Sequence, residues 1–315
     1  MAMSVAVCLM LYGFAVAVLA PRLLRRLSVE GTAPRMAVAA WLAAMASTVL
    51  AWTITLTIVI IDLVTHRISL FPVRFMDSCL LHLHDAAVGH YGGPLQIGLL
   101  ALSGFATVAA VLVAFRLGAT LLRLRRHTLE HARMARLAGR HHPDLDAVVL
   151  EVDQPAAYCV AGKPHTIVVS RGVLTVLEDD HLGAVLSHER AHLEGRHHLL
   201  LTLTRGLATA LPRADLFTVG ASEVARLLEM LADDAAARIH GRATVLQALL
   251  TLSELPSPPA TAEAALLPRM RRLSEPAAPP RLHTRVAATA AALTAVAIPV
   301  AAIVATIIGI EVCAT

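Results

Sequence analysis

Lysine is almost missing from this chain. Lys163 is the only one among 27 basic residues, a bias of the kind that genome composition produces. Aromatic residues make up 3% of the 315 positions, so core packing and lipid contact must rest on Ala, Leu and Val. The four cysteines, Cys8, Cys79, Cys159 and Cys313, form no C-x-x-C pair and no disulfide-framework spacing, which argues against a disulfide-built domain. Charge is sparse as well, at 16% with a formal net of +4, and its placement says more than its size.

What the chain has instead is apolar length. It is 57% hydrophobic with a mean hydropathy of +0.66, which puts a membrane class ahead of a soluble one. Residues 1–21, 36–61, 91–115 and 286–310 carry no charged side chain, and each meets the length of about 20 residues that a bilayer crossing needs. In the first of these the positive charges follow the apolar run, and no small-x-small cleavage site stands out, so an uncleaved anchor is expected.

Arginine placement orients the spans. Arg22, Arg25, Arg26 and Arg35 flank the first loop, seven arginines from Arg116 to Arg140 follow the third span, and Arg269, Arg271, Arg272, Arg281 and Arg285 precede the fourth. The expected topology is a multi-pass bacterial membrane protein with both termini outside and residues 116–285 in the cytoplasm. The expected parts are three spans in 1–118, a cytoplasmic domain in 119–255, a Pro-rich linker in 256–285 and a fourth span in 286–310.

Within the cytoplasmic part, 119–142 reads as a basic helix ending at a His141-His142-Pro143-Asp144 turn. The runs 147–152, 156–161 and 166–170 read as short strands. A helix follows, with Asp179 or Asp180 near its N-cap and Leu182, Val185, Leu186 and Leu193 on its inner face. Residues 199–211 are too short and too charged to span, and read as a helix on the membrane surface or packed in the domain. A second helix is expected over 220–252 with Val224, Leu227, Leu228 and Leu231 inward. Residues 256–280 hold seven of the 16 prolines, which predicts a poorly ordered connector.

The chemistry concentrates in His188-Glu189-Arg190-Ala191-His192, an H-E-x-x-H on that first helix. Residues four apart share a helix face, so His188 and His192 can grip one Zn2+, and Glu189 can serve as general base on a metal-bound water. With 16 histidines in the chain, chance alone gives about 0.03 such matches. Catalytic zinc wants a third protein ligand. His198 would complete H-E-x-x-H-x-x-G-x-x-H if the helix stopped at Gly195. Glu229 would supply a carboxylate from the second helix, with Asp233 one turn on and able to hold a ligand histidine. The apolar run past Gly195 argues for a continuing helix and favours Glu229.

Other clusters read more plainly. His127-Thr128-Leu129-Glu130-His131 fits an inverted zinc motif, but among so many arginines it reads as a solvated helix face. His82, His84 and His90 read as a polar outer loop, and Cys79 and Cys313 would lie near the outer face, where oxidation is possible. Cys159 reads as a small core residue on a strand.

The run AAYCVAGKPHTIVVSRGVLTVLEDDHLGAVLSHERAHLEGRHH, followed by EMLADDAAA, resembles the BlaR/MecR-type antirepressor metallopeptidases. It is also similar to their relatives, the HtpX and CAAX-prenyl-endopeptidase group. The resemblance covers about 160–240 and implies a mainly α membrane protein carrying an α+β zincin-like domain, a small sheet with active-site helices. It implies one Zn2+ per chain held by His188, His192 and Glu229, with Glu189 as base and Asp233 behind a ligand histidine. A histidine five residues after the second ligand is frequent in these relatives and matches His197. His240 and Arg238 stand as candidates for oxyanion stabilisation. In BlaR and MecR an acylated serine in S-x-x-K senses β-lactams; here Val160 stands three residues before Lys163, so that motif cannot occur. The implied function is cytoplasmic-side proteolysis, either of a BlaI-type repressor or of the chain itself, with a bilayer as partner and no direct nucleic-acid contact. The rivals are an HtpX-like quality-control protease and a non-catalytic scaffold in which zinc holds the domain together.

Overall fold

The computed structural model describes residues 2–28, 33–68, 93–160, 165–253 and 260–275, with the single positions 162, 297 and 301. Helices α1 (Ala2–Ser28), α2 (Pro34–Ile68) and α3 (Gly93–Ala138) come first. Each contains a stretch long and apolar enough to cross a membrane: Val5–Arg26, Pro34–Ile61 and Thr107–Ala138. The expected fourth span, apart from the single positions 297 and 301, and the loop histidines His82, His84 and His90, Cys79 and Cys313 lie outside the described residues.

Helix α3 has 46 residues, roughly 69 Å at 1.5 Å per residue, about twice a hydrocarbon core. One continuous helix therefore joins the expected third span to the basic segment after it. Its lower end lies against the sheet, where Ala132 and Ala135 pack on Val160 and Val168. His127 and His131 stack on one another there, and His131 tilts against Tyr158. Both histidines are exposed, as a solvated face predicts.

The sheet has four strands in the order β1-β2-β4-β3: β1 (Arg140–His142), β2 (Ala147–Leu150), β3 (Ala157–Val160) and β4 (Thr166–Ser170). His141 and His142, expected in a turn, instead form β1 with Arg140, antiparallel to β2, and the turn proper is the 3-10 segment Pro143–Leu145. Central β4 runs parallel to β2 and antiparallel to β3. All five of its residues are buried, because α3 covers one sheet face and later helices cover the other. β3 is left at the edge. Ser170 N–H bonds Ala156 O at 2.8 Å, and antiparallel pairs alternate. In this register the backbone groups of Ala157 and Cys159 point away from β4, toward the free edge.

Five helices follow β4 up to Ser253: α4 (Arg171–Val176), α5 (Asp179–Glu194), α6 (His197–Ala210), α7 (Asp215–His240) and α8 (Arg242–Ser253). The N-cap of α5 is Glu178, one residue earlier than expected, with Asp179 and Asp180 in the first turn, where their charge complements the helix dipole. Leu182, Val185 and Leu186 bury against Ile167, Val169 and Val173, with Leu193 packed beside them.

Three differences from the sequence reading have clear causes. Helix α5 ends at Glu194, because Arg196 adopts a left-handed φ of 50°; no helix continues through Gly195. The helix expected over 220–252 starts at Asp215 and breaks at Gly241, whose φ is 83°, a conformation glycine adopts without steric cost. Most unexpectedly, the supposed connector contains α9 (Ala260–Ser274), with Pro268 inside it. Its Leu273 buries with Ala184, Ala236 and Val245, and Arg272 pairs with Asp234. Tertiary contacts hold a helix that composition disfavours.

The largest core crosses the boundary expected at residue 119. Ala17 and Leu24 of α1 and Val38, Trp41, Ala44 and Met45 of α2 pack with Leu207 of α6 and Leu216, Phe217, Val224, Leu227, Leu228 and Met230 of α7. Helix α6 is thus packed in the domain, with Leu199 and Leu203 still exposed. Gly220 allows a close approach, since a Cβ there would sit 2.2 Å from Met45 Cε. At the end of α1, Arg226 donates to Ser28 O at 2.8 Å and to Glu223 at 2.7 Å.

Candidate metal centre

Helices α5 and α7 pack against each other, and their facing sides carry the polar residues of both. His188 and His192 lie one turn apart on α5, and Glu229 faces them from α7. Their donor atoms all lie within 4.8 Å of one another. The Nε2 atoms are 3.1 Å apart; His188 Nε2 is 3.4 Å and His192 Nε2 is 3.5 Å from the Glu229 carboxylate. A tetrahedral ion with bonds near 2.0–2.1 Å spaces its donors about 3.3 Å apart. The three side chains therefore fit one zinc ion.

Each of the two histidines has a partner on its other nitrogen. His188 Nδ1 is 3.0 Å from Asp233 Oδ1, which leaves Nε2 free to ligate when Nδ1 carries the proton. His192 Nδ1 is 2.8 Å from His197 Nδ1, so in the metal-ready arrangement His192 donates and His197 accepts. His197 is buried at the first turn of α6. His198 is elsewhere: its ring centroid is 5.9 Å from that of His165, and its Nδ1 is buried with no hydrogen-bond partner among the described residues. The left-handed turn at Arg196 swings it away, so the residue that lost on helix continuity is absent from the cluster although the helix does end. His240 Nε2 sits 2.8 Å from Ser187 Oγ, up α5 from the triad, and Arg238 is exposed. Neither joins the ligand cluster.

Sequence reasoning missed one residue altogether. Arg269 of α9 holds Asp233 with Nε at 2.8 Å and Nη2 at 2.7 Å, and its Nη1 is 3.2 Å from Glu229. No pattern announced it, because Arg269, Arg271 and Arg272 read as positive charges flanking a span.

The charges shape one another. Burial pushes Glu189 above the ordinary carboxylate range, opposed by nearby His188 and by the thiol and backbone N–H of Cys159, which hydrogen-bond to it. Burial and the Glu189 charge together push the Cys159 thiol up to about 12, so it stays protonated. Burial alone would raise Glu229, but the His188 hydrogen bond and the Arg269 charge override it and bring it down to about 2. Asp233 is likewise held well below its usual value by Arg269 and His188 against the effect of burial. For His188 burial works downward, yet bonds to Asp233 and Glu229 win and raise it to about 9. His192, with burial dominant, falls to about 4.

Two histidines and a glutamate on packed helices beside a sheet edge thus form a candidate metal centre, in a chain with membrane-length helices. Comparison with known proteins gives the segment that carries the two histidines a likeness. Residues 123–213 match peptidase family M48, a segment that includes His188, Glu189 and His192. The chain is 33% identical over 73 residues to an HtpX homologue protease of Salinibacter ruber, covering 22% of this chain and 26% of that protein. It is 34% identical over 80 residues to an HtpX homologue of Aquifex aeolicus, covering 25% and 26%. The chain thus spans about a quarter of the length of the curated relatives it matches. No solved structure matches it significantly.

Proposed function

We propose that this protein is an integral membrane zinc endopeptidase whose active site faces the cytoplasm, with His188, His192 and Glu229 as ligands. The observation that carries the reading is the three-donor cluster at zinc-compatible spacing, with a half-buried glutamate, Glu189, next to the first histidine. When bound, zinc supplies a Lewis acid and a water acidic enough to deprotonate near neutral pH. Glu189 is the proton acceptor in this reading. Its raised affinity for protons brings it nearer the pH at which a base both accepts and returns one, and Cys159 fixes it at the sheet edge. The outward backbone groups of Ala157 and the carbonyl of Cys159, whose N–H is held by Glu189, would pair with an extended substrate segment, as sheet edges do with peptides. Asp233 and His197 orient the two ligand rings.

For substrate we propose a cytoplasmic protein segment, with a BlaI-type repressor or the chain's own Pro-rich segments as the first to test. The HtpX homologues among the matches favour a second reading, turnover of damaged membrane proteins. One defined cut and derepression of a few genes fits the first; many substrates and a stress phenotype fit the second.

The test uses detergent-purified protein, wild type beside Glu189→Gln and Glu229→Ala. Zinc should remain in Glu189→Gln while cleavage stops, and zinc should fall in Glu229→Ala. Cleavage that survives Glu189→Gln would overturn the assignment of Glu189 as base, whereas a wild type that holds zinc but cuts nothing, with signalling output kept in Glu189→Gln, would leave the scaffold reading. A wild type that holds no zinc would overturn the metal site itself.

A further inference from the structure

Arg269 reaches the metal centre from a helix that no ligand motif includes. Its guanidinium is half of a two-pronged bond to Asp233 (2.8 and 2.7 Å), and the third nitrogen lies 3.2 Å from Glu229. Asp233 Oδ1 therefore receives Arg269 Nη2 on one side and His188 Nδ1 at 3.0 Å on the other. The side chain is only 15% exposed, and Asp233 is 2% exposed.

We propose that Arg269 is a positioning residue for the metal site, acting through its fork geometry on Asp233 and Glu229. Its contacts at the site are with Asp233 and Glu229. It orients Asp233 so that the oxygen facing His188 accepts, and it steers Glu229 toward the histidines. The charges support the placement: Glu189, Glu229 and Asp233 as carboxylates, with one guanidinium and one dication, would sum to zero. The helix bringing Arg269 is anchored separately, through Arg272 to Asp234 and Arg242 to the Leu273 carbonyl, so seating of α9 and completion of the site are linked.

This inference rests on the zinc reading above and has its own test. Charge and geometry act in opposite directions here. Removing a positive charge near the ion by itself tightens dication binding, whereas losing orientation loosens it by about 10–100-fold. Arg269→Lys keeps the charge and loses the fork. Zinc affinity of the full-length protein in detergent, measured by chelator competition, should fall 10–100-fold in Arg269→Lys. The d–d spectrum of the cobalt-loaded form should shift as well. Arg272→Lys disturbs an equivalent α9 contact that touches no ligand partner, and should leave zinc affinity within twofold of wild type.

Wild-type affinity in Arg269→Lys overturns the proposal, and so does an equal loss in Arg272→Lys, which would mean only that α9 had come loose. If Arg269→Lys does not fold, Arg269→Gly is titrated with ethylguanidinium: recovered zinc affinity supports the assignment and no recovery overturns it. Wild type without zinc instead sinks the metal site, a result that cannot be confused with these.

Discussion

His188 and Asp233 meet at 3.0 Å, Nδ1 to Oδ1, across the packed faces of α5 and α7. The contact fixes which imidazole nitrogen is available to a metal and joins the two halves of the site. Asp233→Asn removes the charge while keeping the shape. Zinc affinity should fall about 10–100-fold, and the metal-free protein should lose stability, because Arg269 is left buried beside a neutral amide. Chelator competition and thermal unfolding in detergent measure the two effects. Zinc affinity within twofold of wild type would remove Asp233 from the ligand-orienting role.

His197 and His198 are neighbours with opposite expectations. His197→Ala deletes the partner of His192 Nδ1 and should weaken zinc binding by about tenfold or more. His198→Ala should leave zinc content at the wild-type level, since that ring lies against His165. Zinc lost from His198→Ala alone would mean that the ligand set is the one ending in H-x-x-G-x-x-H.

Proton and metal compete at His188, and the signs differ for the two forms. In the metal-free protein its pKa is raised to about 9 from an unfolded value near 6.5. Its stabilising contribution is thus full below about pH 6.5 and is lost as pH rises through about 9. Zinc must displace that proton, so its affinity should climb by up to about tenfold per pH unit until about pH 9. Unfolding of chelator-treated protein and zinc titrations across pH 6.5–9.5 should therefore slope in opposite directions. Parallel slopes, or flat ones, would contradict the His188 environment described above.

Gly220 of α7 lies tight against Met45 and Trp41 of α2. A Cβ there meets Met45 Cε at 2.2 Å and Trp41 Cε3 at 2.9 Å; a flexible methionine can yield, a packed indole less so. Gly220→Leu should cost about 1–3 kcal/mol through overpacking, read as a lower unfolding temperature in detergent. An unchanged midpoint would show that α7 does not pack tightly on the helix pair.

The legible parts of this chain were those with strong local periodicity. Helix α5 could be read because its apolar stripe and its H-E-x-x-H share one period, and β2, β3 and β4 because turn residues bound short β-branched runs. Glu229 was favoured on a premise that does not hold, the continuity of the helix past Gly195. What separates His198 from the cluster is one left-handed residue, Arg196, which no pattern reveals. Gly241 gives no break signal in the sequence, since a single glycine inside a helical pattern is often tolerated. Helix α9 and Arg269 were illegible for a different reason: proline-rich composition describes an isolated chain, whereas Leu273, Arg269 and Arg272 are held by contacts with α7 and α8. The core joining Trp41 and Phe217 was equally hidden, because apolar faces on two helices do not say that they are partners.

The order of the chain gives the scattered origin of the centre a consequence in time. The histidines come from α5, the glutamate from α7 and the arginine from α9, while the helices on which α7 rests are made first. At about 5–20 residues per second, Arg269 leaves the ribosome several seconds after Glu229. A nascent chain therefore has a cradle for α7 before it has the cluster of His188, His192 and Glu229, and has that cluster before the clasp that holds it.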